Sequence, residues 1–354
     1  MRILIIRLSS IGDVVEATAV AAALKRSVPG VRVDWLVSPP AAELLTDHPD
    51  IDEVLLWDRR PFDDAVRRGH FLRALRLLLE ARTLLSGRFY DAVLDIQDLF
   101  LTGLLSRFAE TERRIGIVDR HEGSWLFIPE RIPSSSTQKL HHYLDVLTAI
   151  DIEDARRARP RLHLPASPRE MARSLLKSRG ILPGCPYLAV SVQSSWTTKE
   201  WPAAYFGEAL SALPAALPIV FIGSLQDEVK ISSICEHIRK EAVSPPPLTS
   251  LAGCTTLLEL AAVLQSAVLY FGPDTGPLHI ASAVGTPTLS LWGATRPDVH
   301  APLGARDHAL VSPHSCKGCG KTRCRVCQST NPPPCMTAIT PDTVKKTLMD
   351  LLSV

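Results

Sequence analysis

The chain contains no uninterrupted apolar run approaching the ~18 residues of a bilayer-spanning helix, so no transmembrane segment is expected. The apolar run at the N-terminus, Met1 to Ile6, is short and ends at Arg7. It has neither the longer apolar core nor the small-residue cleavage site of a secretory signal, and a cytoplasmic protein is expected. Net charge is also scarce: 39 Lys and Arg against 37 Asp and Glu leave +2. That is too little for bulk nucleic-acid binding, and no nucleic-acid partner is expected. The turn after the first apolar run holds one glycine, Gly12, where a dinucleotide fingerprint requires G-x-G-x-x-G. This argues against a nicotinamide-linked oxidoreductase. Lysine is sparse among the cations, with 10 Lys to 29 Arg. Hydrophobic residues at 46% and charged residues at 21% exclude a disordered or fibrous chain.

At 354 residues the chain exceeds the ~250–300 at which one core stops growing, so two domains are expected. Residues 2–7, 31–37, 53–57 and 90–96 read as buried strands. Helical patterns at 14–24 and 71–85 lie among them. Between Asp154 and Pro168 a cluster of Arg and Pro breaks all periodicity and reads as a linker. The alternation then resumes, with strands at 187–192, 219–222, 268–272 and 288–292 and helices such as 257–265 and 343–352. Two successive βαβ arrays imply two Rossmann-like α/β domains with a cleft between them. The expected boundaries are 1–165, 166–340 and a C-terminal helix within 341–354 that packs back on the first domain.

Four turns after strands carry the candidate chemistry. Asp274-Thr275-Gly276-Pro277-Leu278-His279 follows the strand at 268–272 and opens a helix. Thr275 can cap it, Pro277 is tolerated in the first turn, and Gly276 lets a ligand approach the backbone. The free N–H groups then favour an anion such as a diphosphate, with His279 in reach. An ordinary capped helix with a core histidine would carry the same residues. Gly12-Asp13 opens the first helix. Asp13 is there either a dipole-friendly cap or a general base for an incoming hydroxyl. Ser194, Ser195 and Lys199 follow the first strand of the second half and suit phosphate contact, or form a solvated loop. Asp227 and Glu228 follow the next strand, where a carboxylate holds ribose hydroxyls or simply starts a helix.

Together these residues resemble glycosyltransferase family 9, the ADP-heptose lipopolysaccharide heptosyltransferases. Ser9-Ser10-Ile11-Gly12-Asp13-Val14 is similar to the family's N-terminal signature. Asp274-Thr275-Gly276 with His279, then Gly285, Pro287, Trp292-Gly293, Thr295, Pro297 and Pro302, is similar to its C-terminal signature. His48-Pro49, Tyr90-Asp91-Ala92-Val93 and Asp95-Ile96-Gln97 are most similar to the heptosyltransferase I branch. The resemblance implies a GT-B fold, two Rossmann-like domains facing a central cleft, and inverting transfer of heptose from ADP-heptose to the Kdo of lipid A. It implies Asp13 as the base, with Ser10 and Gly12 beside the acceptor. It places Ser194, Ser195, Lys199, Thr275, Gly276 and His279 on the diphosphate and donor sugar, Asp274 on the heptose side, and Asp227 or Glu228 on the nucleoside. No cofactor is implied for catalysis. A different acceptor, as in heptosyltransferases II and III, and a non-catalytic nucleotide-sugar-binding relative are the alternatives.

Two biases remain. From Arg59 to Arg88 eight arginines face three acids, a local balance of 8 − 3 = +5. Such a patch suits Kdo carboxylates, lipid A phosphates and an anionic inner leaflet, or is a solvated helix face. Arg59 and Arg60 are the acceptor candidates within it. The expected protein is then a monomer peripheral to the inner face of the inner membrane. Five of the eight cysteines, Cys316, Cys319, Cys324, Cys327 and Cys335, crowd into the tail. The four-residue gap between the two C-x-x-C pairs is tighter than the ~15–20 of a zinc ribbon. Structural zinc, reduced thiols and a labile disulfide are the readings of this tail, and zinc is not the favoured one.

Overall fold

The computed structural model describes residues 1–119, 122–324 and 332–352. Two compact units divide the chain, Met1–His163 and Leu164–Val354.

In the first unit the strands are β1 (Arg2–Ile6), β2 (Arg32–Val37), β3 (Glu53–Leu56), β4 (Phe89–Asp95), β5 (Glu110–Ile117) and β6 (Glu130–Ile132). The helices are α1 (Ile11–Ser27), α2 (Arg59–Arg67), α3 (Phe71–Leu85), α4 (Phe100–Ser106) and α5 (Lys139–Asp145). All six strands are parallel, in the order β3-β2-β1-β4-β5-β6. A Rossmann sheet has this order. The reason lies in the sequence: the apolar run Ile3 to Ile6 is buried on both faces, as a central parallel strand requires. One face packs Ile3, Ile5, Trp35 and Leu94 against Val14, Val20 and Leu24 of α1 and Tyr143 of α5.

In the second unit the strands are β7 (Leu188–Ser191), β8 (Ile219–Ile222), β9 (Leu248–Ser250), β10 (Leu269–Pro273), β11 (Thr288–Trp292) and β12 (Asp307–Val311). The helices are α6 (Ala166–Ser178), α7 (Ala203–Ser211), α8 (Glu228–Glu241), α9 (Leu257–Ser266), α10 (Gly276–Ala283), α11 (Pro297–His300), α12 (Pro334–Thr337) and α13 (Pro341–Leu352). The parallel order β12-β11-β10-β7-β8-β9 repeats that of the first sheet, counted from each unit's own first strand. Trp201, Phe206 and Phe271 form an edge-on aromatic cluster in its core.

Two expectations need correction. The final helix does not join the first core: Val344 and Leu348 of α13 are buried in the core of the second unit, beside α7. Its apolar spacing fits either partner, and only the tertiary structure assigns one. The linker is also shorter than the Arg and Pro cluster suggested, because Pro168 sits in the first turn of α6, where its missing N–H costs no helical bond.

Sheet order positions the candidate sites. In each unit the order reverses between the first and fourth strands, β1/β4 and β7/β10. Ligands of open α/β sheets bind at the carboxyl ends of the strands flanking such a reversal. Asp13 follows β1, whereas Lys199 and Asp274 follow β7 and β10.

Candidate active site

At the first switch point, Ser10 caps α1 and Asp13 is its third residue. Both the Ser10 N–H (3.2 Å) and its hydroxyl (2.8 Å) donate to Asp13 Oδ2. This is a capping box, so the helix start fixes the carboxylate. The cap reading of Asp13 is therefore correct, but it covers only part of its surroundings. Arg7 Nη2 lies 2.7 Å from the same Oδ2. On the other oxygen, Lys139 Nζ stands at 3.0 Å and the Tyr143 hydroxyl donates at 2.8 Å. Lys139 and Tyr143 are four residues apart on α5 and so share the face that packs on α1. The Arg7 guanidinium lies over the Tyr143 ring, 5.0 Å from its centre, and donates to the Ile96 carbonyl at 2.9 Å.

Burial would push the Asp13 carboxyl up, but the Arg7 and Lys139 charges, with the Lys139 and Tyr143 hydrogen bonds, hold it well below the usual range. Burial draws Lys139 down despite Asp13 and pushes Tyr143 well above an ordinary phenol. The result is a carboxylate held ionised well below its ordinary range, beside two cations. Asp13 keeps 21% of its side chain exposed, against 2% for Arg7 and 13% for Lys139. A ligand therefore meets the carboxylate and the lysine, with Arg7 behind them.

The loop after β4 is stitched to the loop after β1, because the Leu8 N–H donates to Gln97 Oε1 at 2.6 Å. Buried Asp95 is pushed up to about 6 by burial, although Thr102 and the N–H groups of Gln97 and Asp98 donate to it. Asp98 in turn accepts from Ser124, the Asp119 N–H and Arg131. Asp119 belongs to the charge environment of Arg7, Lys139 and Tyr143.

Of this helix start sequence reasoning named Ser10, Gly12 and Asp13, and of the groups around the carboxylate it missed Arg7, Lys139 and Tyr143. Their signals were slight: one cation closing an apolar strand, and a Lys and Tyr four apart in a helix not separately recognised. Arg59 and Arg60 open α2, after the edge strand β3 and two strands from β1. Arg59 pairs with Asp63 at 2.9 Å, and Arg60, 70% exposed, is tied to Asp58 at 2.9 Å. The structure does not bring these two arginines into the Asp13 cluster.

At the second switch point Asp274 ends the loop after β10, and Lys199 closes the short turn Thr197–Lys199 after β7. Lys199 Nζ lies 2.6 Å from Asp274 Oδ2 and 4.5 Å from the centre of the Trp196 ring. The Thr295 hydroxyl donates to Asp274 at 2.8 Å, and His279 Nε2 stands 3.7 Å from Oδ1. Burial pushes the Asp274 carboxyl up, but His279 and Lys199 outweigh it and hold it far below the usual range. Thr275 occupies the N-cap position with its hydroxyl on the Pro273 carbonyl (3.3 Å), while Gly276 and Pro277 begin α10. Asp274, Thr275, Gly276, His279 and Lys199 thus form one cluster at a helix N-terminus.

Ser194 accepts from the Trp196 N–H (3.3 Å), and Ser195 is exposed in the same loop. Asp227 caps the turn after β8 by accepting the Ser224 N–H at 2.7 Å, whereas Glu228 accepts from the Ser250 hydroxyl at 2.6 Å. Both follow the strand adjacent to β7, and the structure does not choose between them.

The tail loop supports this cluster from behind. Thr198, buried beside Lys199, donates to the Lys321 carbonyl at 2.7 Å. Gly318 and Gly320 donate to the carbonyls of Gly293 and Ala294, both at 2.7 Å, just before Thr295. Positive φ values of 71° and 63° fit glycine at both positions. Cys316, Cys319, Cys324 and Cys335 are free thiols, and burial together with the three neighbouring thiols pushes Cys335 up to about 11. Among the described residues no group of three or more His, Cys, Asp or Glu is arranged to hold a metal ion. Cys327 lies outside the described residues.

Comparison with known proteins points to one family. Residues 79–329 match the model of glycosyltransferase family 9 (heptosyltransferase). Lipopolysaccharide heptosyltransferase 1 of Pseudomonas aeruginosa is 28% identical over 337 residues, 92% of this chain and 87% of that protein. Lipopolysaccharide heptosyltransferase 3 of Escherichia coli is 26% identical over 287 residues, 80% of this chain and 81% of that protein. The solved structure of the E. coli heptosyltransferase WaaC with ADP superposes with a TM-score of 0.74 at 19% identity, covering 99% of this chain and 100% of that one. The two parallel-sheet units are those of the GT-B class that such structures represent.

Proposed function

The chain belongs to glycosyltransferase family 9, the heptosyltransferase family, and on that premise we propose that it transfers heptose from ADP-heptose to the Kdo of lipid A in lipopolysaccharide inner-core synthesis. The observation that carries this reading is the ionised Asp13 held between Arg7 and Lys139 at the first switch point. One carboxylate with two cations has a surplus of positive charge, which suits an acceptor that is itself an acid.

In this reading Asp13 takes the proton from the acceptor hydroxyl. The hydroxyl oxygen attacks the anomeric carbon of the heptose and inverts it. The bond from that carbon to the diphosphate oxygen breaks, and ADP leaves with the electron pair. Lys199, His279 and the free N–H groups opening α10 meet the charge that develops on the diphosphate. Asp274, pinned by Thr295, holds Lys199 in place until the anion arrives. Ser194 and Ser195 line the same loop, and Asp227 or Glu228 takes the nucleoside. The protein works at the inner face of the inner membrane, in the cytoplasm, as a monomer.

Relatives named heptosyltransferase 1 and heptosyltransferase 3 both match, so the acceptor is the point to test. Purified protein with ADP-heptose is expected to modify Kdo-lipid A and to leave an already heptosylated acceptor unchanged. The opposite preference would move it to a later step of core synthesis. Lys199→Ala is expected to weaken donor binding in calorimetry, and an unchanged affinity would remove Lys199 from the donor site.

A further inference from the structure

The exposed face of α3 is unusual for a helix on a soluble domain. Its inner face is satisfied, with Ala74, Ala81 and Leu85 buried. Yet Phe71, Leu72, Leu75 and Leu79 are 74%, 86%, 54% and 50% exposed. At ~100° per residue these four fall within an arc of about 100° on the outer side, so they form one continuous row. Val66 at the end of α2 adds a fifth exposed apolar side chain, 47% exposed.

Arginines flank the row. Arg68 and Arg76 are matched to Asp64 and Glu80 one turn away. Arg67, Arg73 and Arg82 have no acidic partner among the described residues, and all three are exposed. The row thus lies among unneutralised guanidinium groups on long, flexible stems.

We propose that this face of α3, with the adjoining end of α2, docks on an anionic lipid bilayer. The proposal extends the reading of a lipid-borne acceptor given above, on which it rests. A helix with Leu and Phe on one arc and Arg beside it settles into the boundary of headgroups and acyl chains. Its arginine stems lie along the apolar surface while their heads reach the phosphates. Each unpaired Arg near an anionic surface strengthens binding by about fivefold. Charge decides against a second copy of this chain as the occupant. A two-fold contact would set Arg67, Arg73 and Arg82 against their own like charges, whereas an anionic bilayer offers the opposite sign.

The test is flotation of the purified full-length protein with vesicles of phosphatidylcholine alone and of phosphatidylcholine mixed with phosphatidylglycerol. The protein is expected to float with the mixed vesicles and much less with the neutral ones. A Leu72→Gln, Leu75→Gln double variant is expected to lose binding by about tenfold or more. An Arg73→Gln, Arg82→Gln variant is expected to lose the preference for anionic lipid. Both variants should transfer heptose to a deacylated, water-soluble acceptor at the wild-type rate, which shows that they fold. Wild-type protein left behind by the mixed vesicles would overturn the proposal, as would a leucine variant that floats like wild type. A wild-type dimer that the leucine variant converts to monomer would also overturn it and give the face to a second copy. If the vesicles behave as expected while no heptose reaches the soluble acceptor, the acceptor reading falls and the docking surface stands.

Discussion

In the proposed mechanism Asp13 has two duties that pull in opposite directions. As the third residue of α1 it must offer an acceptor oxygen to the helix start, and Arg7 and Lys139 keep it an ionised carboxylate. As a base it must accept a proton, and the same two cations make that harder. An acidic acceptor resolves the conflict, because its carboxylate can draw off Lys139, the more exposed of the two cations. Asp13→Asn preserves the cap acceptor but cannot take a proton. Turnover is expected to fall by about 10²-fold or more, the usual yield of a positioned base. Donor affinity should remain, because no donor residue proposed above is nearby in sequence or in the same unit. A variant with wild-type kcat would remove Asp13 as the base. Lys139→Met tests the electrostatics. The Asp13 pKa is depressed, so the carboxylate stays ionised well below the ordinary aspartate value, while the stability it contributes is full above that value and is lost progressively as pH falls from it through the depressed one. Loss of Lys139 raises that pKa, so the acidic limb of the kcat/KM profile should move to higher pH. An unmoved limb would show that Lys139 does not govern the base. Asp13 was legible in the sequence because a strand, a small turn and an acid sit within a few residues. Lys139 and Tyr143 were not, because a contact across 130 residues leaves no local pattern, and Arg7, though close in sequence, reads simply as the charge that closes β1.

At the level of elements, legibility followed burial. The central strands β1, β2, β4, β7, β8, β10 and β11 are apolar runs, and the sequence shows them within a residue or two. The outer strands β5, β6, β9 and β12 were not foreseen, whereas the edge strand β3 was, because Val54, Leu55 and Leu56 make it apolar though little buried. β5 reads Glu-Thr-Glu-Arg-Arg-Ile-Gly-Ile, β6 and β9 have three residues each, and β12 is largely exposed at the sheet edge. Edge positions demand few apolar residues, so pairing with a neighbour, which is a tertiary fact, creates the strand. The end of β4 carries a chemical signature that periodicity also hides. Asp95 is buried with its pKa raised to about 6. A raised carboxyl stabilises the fold fully below the unfolded value and loses that contribution as pH rises through about 6. Asp95→Asn keeps an acceptor for the Gln97 and Asp98 N–H groups and cannot ionise. In urea denaturation the variant should therefore gain on wild type by roughly 1–3 kcal/mol between about pH 4 and pH 7.5. A stability difference independent of pH would mean that Asp95 is already ionised throughout.

The whole molecule repeats one plan twice. Each unit has its own parallel sheet, its own core and its own switch point, so each meets the requirements of an independent folding unit. What differs is the charge at the switch point. The first unit places a partly exposed carboxylate with two cations there, and the second a buried carboxylate that positions one lysine below a helix N-terminus. In the proposed reading all residues given to the donor lie between 194 and 279, in the second unit, and all given to the base and acceptor, Lys139 included, lie in the first unit. This segregation has a thermodynamic consequence. A ligand stabilises only what it binds, by about 2.7 kcal/mol at a hundredfold excess over its Kd. ADP added to the full-length protein should slow hydrogen exchange around 194–199, 227–228 and 274–279, and raise the unfolding temperature of the second unit. Exchange around Arg7, Asp13 and Lys139 should be unchanged. Protection at Asp13 by ADP alone would mean that the two switch points are energetically coupled before any acceptor binds, and the division of labour between the units would fail.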